Sequence, residues 1–300
     1  MNNQYRTALV TGATSFVGCR LINRVLEDKM FQSIHCLVHT PENVDFLPED
    51  PRIKQFFGDL RHRSEIMDAF TGVDVLLNIA PIFLAPHVVK LCHKTGIKRA
   101  LFISSARKYS KLYTEQAHQI AECEKSIEQS DIDYIILRPT MIFGDPRERN
   151  ITALIRYIKR YHIIPLPNRG MARVQPLLVD DLIDLIMNLL KQDEMGNRSY
   201  DIAGENSLTT YEMFSLISSE IATKSFLIRL PEWLTRNMVG IFSALPVSQR
   251  HVRQFLAFIE DRTVNISPAI EDLGFTPHDF ATALNLYLQR KKRHQSLSPS

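Results

Sequence analysis

The sequence predicts an α/β protein built on a doubly wound parallel sheet, with a smaller α/β lobe formed by its C-terminal half. Short apolar runs alternate with segments of helical periodicity along the first 145 residues, a pattern typical of parallel strands joined by crossover helices. Six such strands are expected. With 300 residues, of which 45% are hydrophobic and 23% charged, the chain is long enough to bury a sizeable core.

A glycine-bearing turn follows the first predicted strand, residues 7–11. It reads Thr11-Gly12-Ala13-Thr14-Ser15-Phe16-Val17-Gly18 and opens a helix predicted over 16–29. Gly12 suits a tight turn because it has no Cβ, and a helix that starts here offers its free backbone N–H groups to a phosphate. A second strand, predicted over 34–38, follows at about the 20-residue spacing of a dinucleotide-binding unit. The turn therefore predicts nucleotide binding, although a glycine-rich turn can also be purely structural.

The same signals predict the other elements of the first half. Further strands are expected over 52–57, 73–78, 99–103 and 133–137, and helices over 63–70, 86–95 and 114–129, with a proline-initiated turn at Thr40-Pro41. Pro139 is expected to end the sixth strand, because proline cannot donate to the ladder. Ligands of a doubly wound sheet bind at the carboxyl ends of its strands. Those ends are Gly12, His39, Asp59, residues 78–81, Ser104-Ser105 and residues 138–140.

The pattern loosens beyond residue 145, which divides the chain into two predicted domains. Residues 1–145 form the nucleotide-binding domain, residues 146–290 form a substrate lobe packed on it, and residues 291–300 form a flexible basic tail. Helices are expected in the lobe over 151–161 and 180–191 and from Thr209 to about Ala222, with a short strand at Tyr200-Asp201-Ile202 and helix starts at Ser267-Pro268 and Thr276-Pro277.

The composition indicates which kinds of binding partner and which cellular compartment are expected. The formal net charge of +3 is small and dispersed, and no basic stripe with interleaved aromatic residues occurs, so no nucleic-acid partner is expected. The four cysteines lack metal-ligand or paired spacing, which predicts neither a disulfide framework nor a metal site and favours a reducing cytoplasm. Neither a signal-peptide pattern nor an apolar run long enough to span a membrane is present, so a cytoplasmic protein without a membrane span is expected.

The motifs along the chain resemble those of the short-chain dehydrogenase/reductase superfamily. Besides the turn at 11–18, they are Gly58-Asp59-Leu60, Phe102-Ile103-Ser104-Ser105, Tyr134-Ile135-Ile136-Leu137-Arg138-Pro139-Thr140 and Phe143-Gly144, with later similarities at 175–182 and 200–204. The resemblance covers most of the chain. It is to the extended and atypical branches, which include NAD-dependent epimerases and dehydratases, NmrA-like proteins and the dehydrogenase-like accessory subunit of respiratory complex I. It implies a Rossmann-type fold and a nicotinamide cofactor.

The resemblance also implies where a dinucleotide would lie. Matching positions place the pyrophosphate at Gly12 and Gly18, the adenine at Asp59 and Leu60, the ribose at Ile79 and Ala80, and the nicotinamide at Pro139 and Thr140. The rest of the predicted cofactor set is Thr14, Ser15, Phe16, Val17, His39, Pro81 and Ser104. Two of the motif residues also have structural alternatives, Asp59 as a helix cap and Arg138 as part of an ion pair.

Two departures from the family concern the cofactor. The middle glycine of the turn is Ser15 here, so that a side chain stands where the family's backbone approaches the pyrophosphate, unless the hydroxyl donates to a phosphate oxygen instead. His39 follows the second strand, and neither an acid that repels a 2′-phosphate nor an arginine that grips it is present there. NADP is therefore expected to be weakly preferred over NAD.

A third departure concerns the family's Tyr-x-x-x-Lys dyad. Taking Glu124 as the acidic position of the helix and counting back by helical turns places Ile120 where lysine is expected and Gln116 where tyrosine is expected. The remaining candidates for catalysis are Ser105 after the fifth strand, Tyr113 at the start of the helix and Lys111 in the loop between them.

Two functions remain open from the sequence. One is an NAD(P)-dependent oxidoreductase or nucleotide-sugar epimerase acting on an unidentified small molecule, in which Ser105 polarises a substrate oxygen and Tyr113 transfers a proton. The other is a cofactor-binding sensor, scaffold or assembly protein that has lost the dyad, since a tyrosine of unperturbed pKa is a slow base without a neighbouring cation. Separately, the apolar segment 226–245 predicts either a helix packed on the lobe or a surface that contacts a protein or a membrane.

Overall fold

A seven-stranded parallel sheet forms the centre of the computed structural model, which describes residues 6–62, 64–235 and 258–297. Its strands are β1 (Thr7–Thr11), β2 (Ser33–Val38), β3 (Ile53–Phe57), β4 (Val75–Asn78), β5 (Arg99–Ile103), β6 (Asp133–Pro139) and β11 (Arg198–Ile202). They lie in the order β3-β2-β1-β4-β5-β6-β11, and every neighbouring pair is parallel. The predicted doubly wound sheet is therefore confirmed.

The sheet differs from the prediction at its β6 edge. The sequence predicts six strands, but the short segment around Tyr200 adds β11 as a seventh strand, in register with β6. The sixth strand also continues through Pro139, which pairs with Ile202, and the ladder goes on with Thr140 N donating to Ile202 O at 2.9 Å. Proline therefore does not stop this strand, because the flanking amides supply the inter-strand hydrogen bonds.

Helices cover both faces of the sheet, with bounds close to those predicted. They are α1 (Phe16–Glu27), α2 (Met67–Phe70), α3 (Ala85–Thr95), α4 (Thr114–Glu128), α5 (Ile151–Arg160), α6 (Val179–Leu189), α7 (Thr210–Glu220), α8 (Ser267–Leu273) and α9 (Phe280–Leu297). The helix predicted over 63–70 is shorter, beginning only at Met67. Residues 291–297, which the sequence analysis assigns to a flexible tail, continue α9 as a helix.

The sheet separates two apolar layers. On one face α1 and α6 pack together against side chains such as Val10, Cys36 and Leu101. On the other face α3 and α4 pack against Leu9, Leu76 and neighbouring side chains. Burial on both faces explains why the strands are near-continuous apolar runs in the sequence.

The C-terminal half forms a third apolar cluster from α5, α7 and α9, closed by short strands. The short strands are β7 (Ile142–Phe143), β8 (Ile163–Leu166), β9 (Arg173–Val174), β10 (Leu177–Leu178), β12 (Leu208–Thr209) and β13 (Phe226–Arg229). The capping box predicted at Thr209 and Glu212 is present at the start of α7. The helix start predicted at Thr276-Pro277 is wrong: Asp279 instead accepts hydrogen bonds from the backbone N–H groups of Ala281 and Thr282.

The two halves share the main sheet. The second half supplies β11 as an edge strand and α6 as a covering helix, and Arg20 on α1 and Arg290 on α9 both bond Asp180 at the start of α6. The division at residue 145 remains a prediction. In the part of the chain that the structure describes, no helix is both long and apolar enough to cross a bilayer.

Candidate functional site

The strand order reverses direction between β1 and β4, where the crevice of a doubly wound sheet is expected to hold a ligand. A buried hydrogen bond joins the two strands at this point, with Thr11 Oγ1 donating to Asn78 Oδ1 at 2.7 Å. The backbone N–H of Ala80 lies 3.4 Å from the same Thr11 oxygen. These contacts fix the end of β4 against the turn that leaves β1.

The turn between β1 and α1 has no room for side chains at its glycines. Gly12 has a φ of +66°, and a Cβ there would lie 2.8 Å from Ala80 N and 2.9 Å from Ile79 C. A Cβ on Gly18 would overlap the carbonyl oxygen of Gly12 and lie 2.8 Å from that of Ala13. The glycines therefore let the turn fold tightly onto β4 and let α1 start close behind it.

Ser15 is the N-cap of α1. Its Oγ accepts a hydrogen bond from Gly18 N at 3.0 Å, and its own N–H donates to Gly12 O at 3.0 Å. The hydroxyl hydrogen is not used in this cap, so it is available to a phosphate oxygen. The first turn of α1, from Phe16 onward, carries no acidic side chain. A helix N-terminus without local negative charge, above a glycine turn, fits the pyrophosphate of a dinucleotide.

The predicted adenosine end lies where β2 and β3 finish. The carboxylate of Asp59 accepts hydrogen bonds from Arg61 Nε at 2.9 Å and Arg61 N at 2.9 Å, and His39 Nδ1 lies 3.8 Å away. Hydrogen bonds from Arg61 hold the pKa of Asp59 well below its usual range. Asp59 therefore caps its own loop, which agrees with the structural alternative named for this residue. Arg61, the cation that makes these contacts, is not part of the motifs found in the sequence. Leu60 is buried beside these two residues.

The predicted nicotinamide end gathers the strand ends of β4, β5 and β6. Ala80 is buried and Pro81 exposed at the end of β4. Thr140 Oγ1 donates to Gln175 O at 2.5 Å, after the buried Pro139. The parallel register of β4, β5 and β6 brings these ends to the same edge of the sheet as the glycine turn.

A polar cluster lies beside this edge, under the loop that follows β5. Ser104 Oγ donates to Glu124 Oε1 at 2.5 Å, Lys108 Nζ bonds Glu124 Oε2 at 2.6 Å, and Arg138 Nε contacts both oxygens at 2.9 and 3.0 Å. Burial raises the pKa of Glu124, but the hydrogen bonds from Arg138, Lys108 and Ser104 outweigh it and leave the pKa below its usual value. Arg138 therefore forms the structural ion pair that was one alternative for this residue. Ser104 donates its hydroxyl to the same carboxylate of Glu124.

Tyr109 extends the cluster toward β11. Its hydroxyl donates to the Asp201 carboxylate at 3.0 and 3.1 Å, and Arg138 Nη1 lies 3.8 Å from the same carboxylate. Burial, followed by the charge of Asp201, raises the pKa of Tyr109. Through these contacts Lys108 and Tyr109 tie the loop after β5 to α4 and to β11.

Gln116 and Ile120, which stand at the expected tyrosine and lysine positions of the dyad, both lie on α4. Ile120 is 2% exposed within the apolar layer under α4. Gln116 is half-buried one turn earlier. The position that the resemblance assigns to lysine is therefore occupied by a core side chain.

The three catalytic candidates lie in or next to one loop, but their contacts differ. Ser105 Oγ accepts from Arg107 N at 3.2 Å, which caps the 3-10 helix over 106–109. Tyr113 is half-buried at the start of α4, and its N–H donates to Ser110 Oγ at 3.1 Å. Lys111 is exposed, and its backbone N–H donates to the Glu260 carboxylate. The site assignments of Ser105, Tyr113 and Lys111 remain predictions.

Arg262 is a second cation that the sequence reasoning missed. Its N–H donates to Arg173 O at 2.7 Å, and the neighbouring Glu260 accepts from Ser110 Oγ at 2.7 Å, so this segment is tied to the loop before Tyr113. Burial and then Arg107 lower the pKa of Arg262, while Tyr113 and Glu260 act in the opposite direction. Arg262 is half-buried in the segment that Glu260 ties to the loop before Tyr113. No local motif marks this residue, since more than 140 positions separate it from the loop.

Proteins of known description are similar in sequence to most of this chain. A family model described as NAD(P)H-binding matches residues 12–157. UDP-glucose 4-epimerase of Vibrio cholerae is 21% identical, covering 96% of this chain and 97% of the epimerase. The mitochondrial NADH dehydrogenase [ubiquinone] 1 alpha subcomplex subunit 9 of Rattus norvegicus is 21% identical, covering 97% of this chain and 82% of that subunit.

Solved structures of similar fold include two enzymes with NAD bound. The dTDP-glucose 4,6-dehydratase DesIV of Streptomyces venezuelae has a TM-score of 0.72 at 15% identity, covering 97% of this chain and 98% of that one. The UDP-glucuronic acid 4-epimerase of Bacillus cereus, in complex with UDP-glucuronic acid and NAD, has a TM-score of 0.71 at 15% identity, covering 96% and 99% of the two chains. At these identities the likeness concerns the fold.

Proposed function

Because residues 12–157 match a family model described as NAD(P)H-binding and the chain has the fold of epimerase and dehydratase enzymes of the short-chain dehydrogenase/reductase type, we propose that the protein binds a nicotinamide dinucleotide across the β1–β4 crevice. The observation that carries this proposal is the turn from Gly12 to Gly18, which folds onto β4 and leaves the N-terminus of α1 open to a pyrophosphate. The cofactor would supply or accept a hydride, as nicotinamides do.

The phosphorylated cofactor is the weakly preferred form in this proposal. His39 stands where an acid would otherwise repel a 2′-phosphate, and Arg61 brings a guanidinium to the same end of the crevice. Asp59 already binds Arg61 and limits the advantage, which is why the preference is weak.

The substrate proposed here is a nucleotide sugar, as the names of the similar epimerases and dehydratases suggest. Ser105 would polarise a substrate oxygen and Tyr113 would exchange the proton. Because Lys111 is exposed, whereas Arg262 is half-buried in the segment tied to the loop before Tyr113, Arg262 is the better source of the positive charge that this tyrosine needs.

A second function, a non-catalytic cofactor-binding sensor or scaffold, is favoured by one observation. Ile120 fills the lysine position with a buried aliphatic side chain, and the nearest loop residues with the right chemistry, Lys108 and Tyr109, are held by Glu124 and Asp201. A protein with these contacts keeps the cofactor site while losing the usual proton transfer.

Two experiments separate these proposals. Calorimetric titration with NADH and NADPH tests binding: no heat with either at millimolar concentration contradicts the cofactor proposal, and clearly tighter NADH binding reverses the preference. Carbonyl reduction and sugar-nucleotide epimerisation are then assayed for the parent protein and for Tyr113→Phe, Ser105→Ala, Lys111→Met and Arg262→Met.

The enzyme proposal predicts that Tyr113→Phe lowers the rate by about 10²–10⁴-fold, the usual effect of losing a general acid. It also predicts a larger loss for Arg262→Met than for Lys111→Met. Full activity in Tyr113→Phe would remove that assignment. Cofactor binding without turnover on any substrate of the panel would favour the sensor or scaffold function.

A further inference from the structure

The two-stranded ribbon of β8 and β13 carries an apolar face on its outer side. Ile163 on β8 is 58% exposed, and Phe226 and Ile228 on β13 are 73% and 47% exposed. Phe226 pairs with Ile163, and Ile228 pairs with Pro165, so these side chains point to the same side of the ribbon. We call Ile163, Phe226 and Ile228 the ribbon face. The alternate side chains of β8, such as Ile164, are buried in the lobe core, which fixes the register of the exposed ones.

Aromatic side chains lie at both ends of the ribbon. Trp233 is 65% exposed, and its segment is attached to the end of β8 by Leu230 N donating to Leu166 O at 2.9 Å. At the other end, Tyr157 and Tyr161 are exposed with ring centroids 5.0 Å apart. Tryptophan and tyrosine are the residues enriched where protein meets the membrane–water interface. Of the segment 226–245 singled out in the sequence, residues 236–245 lie outside the described residues.

The two chain segments that contain the ribbon face carry charges of one sign. Residues 151–170 and 221–231 contain neither aspartate nor glutamate. Their lysine and arginine residues, all exposed, are Arg156, Lys159, Arg160, Arg169, Lys224 and Arg229. The nearest acids in sequence to the second segment are Glu220 and Glu232, at its ends. An apolar face set in a basic surface matches the chemistry of an anionic lipid surface, which attracts each nearby cation.

The C-terminal helix adds to the same basic surface. α9 packs beside α5, where Thr152 Oγ1 and Tyr287 OH are 2.6 Å apart, and burial followed by the charges of Lys159 and Arg156 lowers the pKa of Lys291. Lys292 and Arg293 follow directly. Lys291, Lys292 and Arg293 therefore add positive charge beside α5, whereas Arg290 is paired with Asp180.

We propose that this surface docks on an anionic lipid bilayer, with the ribbon face and Trp233 entering the headgroup region and the surrounding lysine and arginine side chains contacting the lipid headgroups. A second copy of the chain is a poorer partner, because a symmetric contact through this surface would bring two sets of positive charges together. The docking is peripheral and independent of the proposed cofactor chemistry.

Trp233, the only tryptophan in the chain, reports on the docking directly. Vesicles of phosphatidylcholine alone and of phosphatidylcholine with phosphatidylserine are mixed with the full chain and separated by flotation. The protein is expected to float only with the phosphatidylserine vesicles, with less binding as salt increases. Its tryptophan emission should shift to the blue and become less sensitive to acrylamide when these vesicles are added.

Matched variants test both components of the surface. Lys159→Glu with Lys224→Glu is expected to weaken vesicle binding by at least about tenfold, because each cation near an anionic surface contributes appreciably. Phe226→Ser with Ile228→Ser is expected to abolish the blue shift. The controls are Lys94→Glu with Lys98→Glu, and Ile270→Ser, which change equally exposed residues elsewhere and should leave binding intact. Circular dichroism and thermal unfolding identify any variant that fails to fold.

Three results would overturn the proposal. The first is the absence of binding to either kind of vesicle. The second is Trp233 emission that is already blue and resistant to acrylamide without vesicles, which would mean that the face is covered within the protein. The third is a dimer in sedimentation that Phe226→Ser with Ile228→Ser dissociates, which would assign the face to self-association.

Discussion

Glu124 and Arg138 form a buried ion pair that joins α4 to the end of β6. Arg138 Nε contacts both carboxylate oxygens of Glu124, at 2.9 and 3.0 Å, and the glutamate side chain is fully buried. Removing one partner of such a pair leaves a buried charge without compensation. Glu124→Gln is therefore expected to lower the free energy of unfolding by about 3 kcal/mol. Denaturant unfolding measures this, with the exposed Glu122→Gln on the same helix as control.

The effect of Glu124→Gln should depend on pH. Because the pKa of Glu124 is lower in the folded than in the unfolded chain, the ionised carboxylate stabilises the fold in full above its unfolded pKa of about 4.3. This advantage over glutamine is lost as the pH falls through the folded pKa. Unfolding free energies of the two proteins should converge below that range, and a difference that stays constant into acid would contradict the role of the charge.

We expect cofactor binding to require Gly12 because a side chain there would collide with the backbone after β4, and not only because its φ is positive. Gly12→Ala places a Cβ 2.8 Å from Ala80 N and displaces the end of β4. Gly274 is a matched control, with a φ of +63° and, among the described residues, no heavy atom within 4 Å of where a Cβ would lie. Both variants should lose about 1–2 kcal/mol of stability for the left-handed conformation. Only Gly12→Ala should also lose dinucleotide binding in calorimetry, and equal affinity in both would refute this.

Arg61 is expected to contribute to the choice of cofactor. In Arg61→Ala a charge-assisted contact to a 2′-phosphate is lost, and the carboxylate of Asp59 is left without its principal partner. Affinity for NADPH should fall about tenfold while affinity for NADH changes little. Titration with both cofactors checks this, and Lys54→Ala on the exposed edge of β3 is the control. An equal loss for both cofactors would assign Arg61 to the loop alone.

The sequence predicts the part of the fold that depends on local patterns. Apolar runs, helix periodicity and the glycine turn give the first six strands and their crossover helices. The seventh strand could not be placed from its sequence, because Tyr200-Asp201-Ile202 is short and its pairing with β6 depends on tertiary packing. The continuation of β6 through Pro139 has the same cause, since it depends on which neighbouring strand is present.

The candidate site likewise contains residues that local motifs predict and residues that only the fold brings together. The residues of the glycine turn are predicted from a contiguous motif, and the proposal that the dyad is missing comes from counting along one helix. Arg262 could not be found in this manner because its segment is distant in the chain from the loop before Tyr113, and Arg61, although it bonds Asp59 two residues away, belongs to none of the motifs. The contact of Tyr109 with Asp201 likewise joins residues that only the fold brings together.

The proposed loss of the dyad is expected to be difficult to reverse. Ile120 is 2% exposed and packs in the same apolar layer as Phe102 and Ile136, so a lysine there would need either to bury its ammonium or to disrupt the layer. Ile120→Lys should cost several kcal/mol of unfolding free energy, whereas Ile120→Met, which keeps volume and polarity, should cost less than about 1.5 kcal/mol. The double variant Gln116→Tyr with Ile120→Lys should consequently unfold in milder denaturant than either the parent or Gln116→Tyr. If it proves as stable as the parent and gains carbonyl reduction, the lysine reaches the crevice, and the view that this position belongs to the core is wrong.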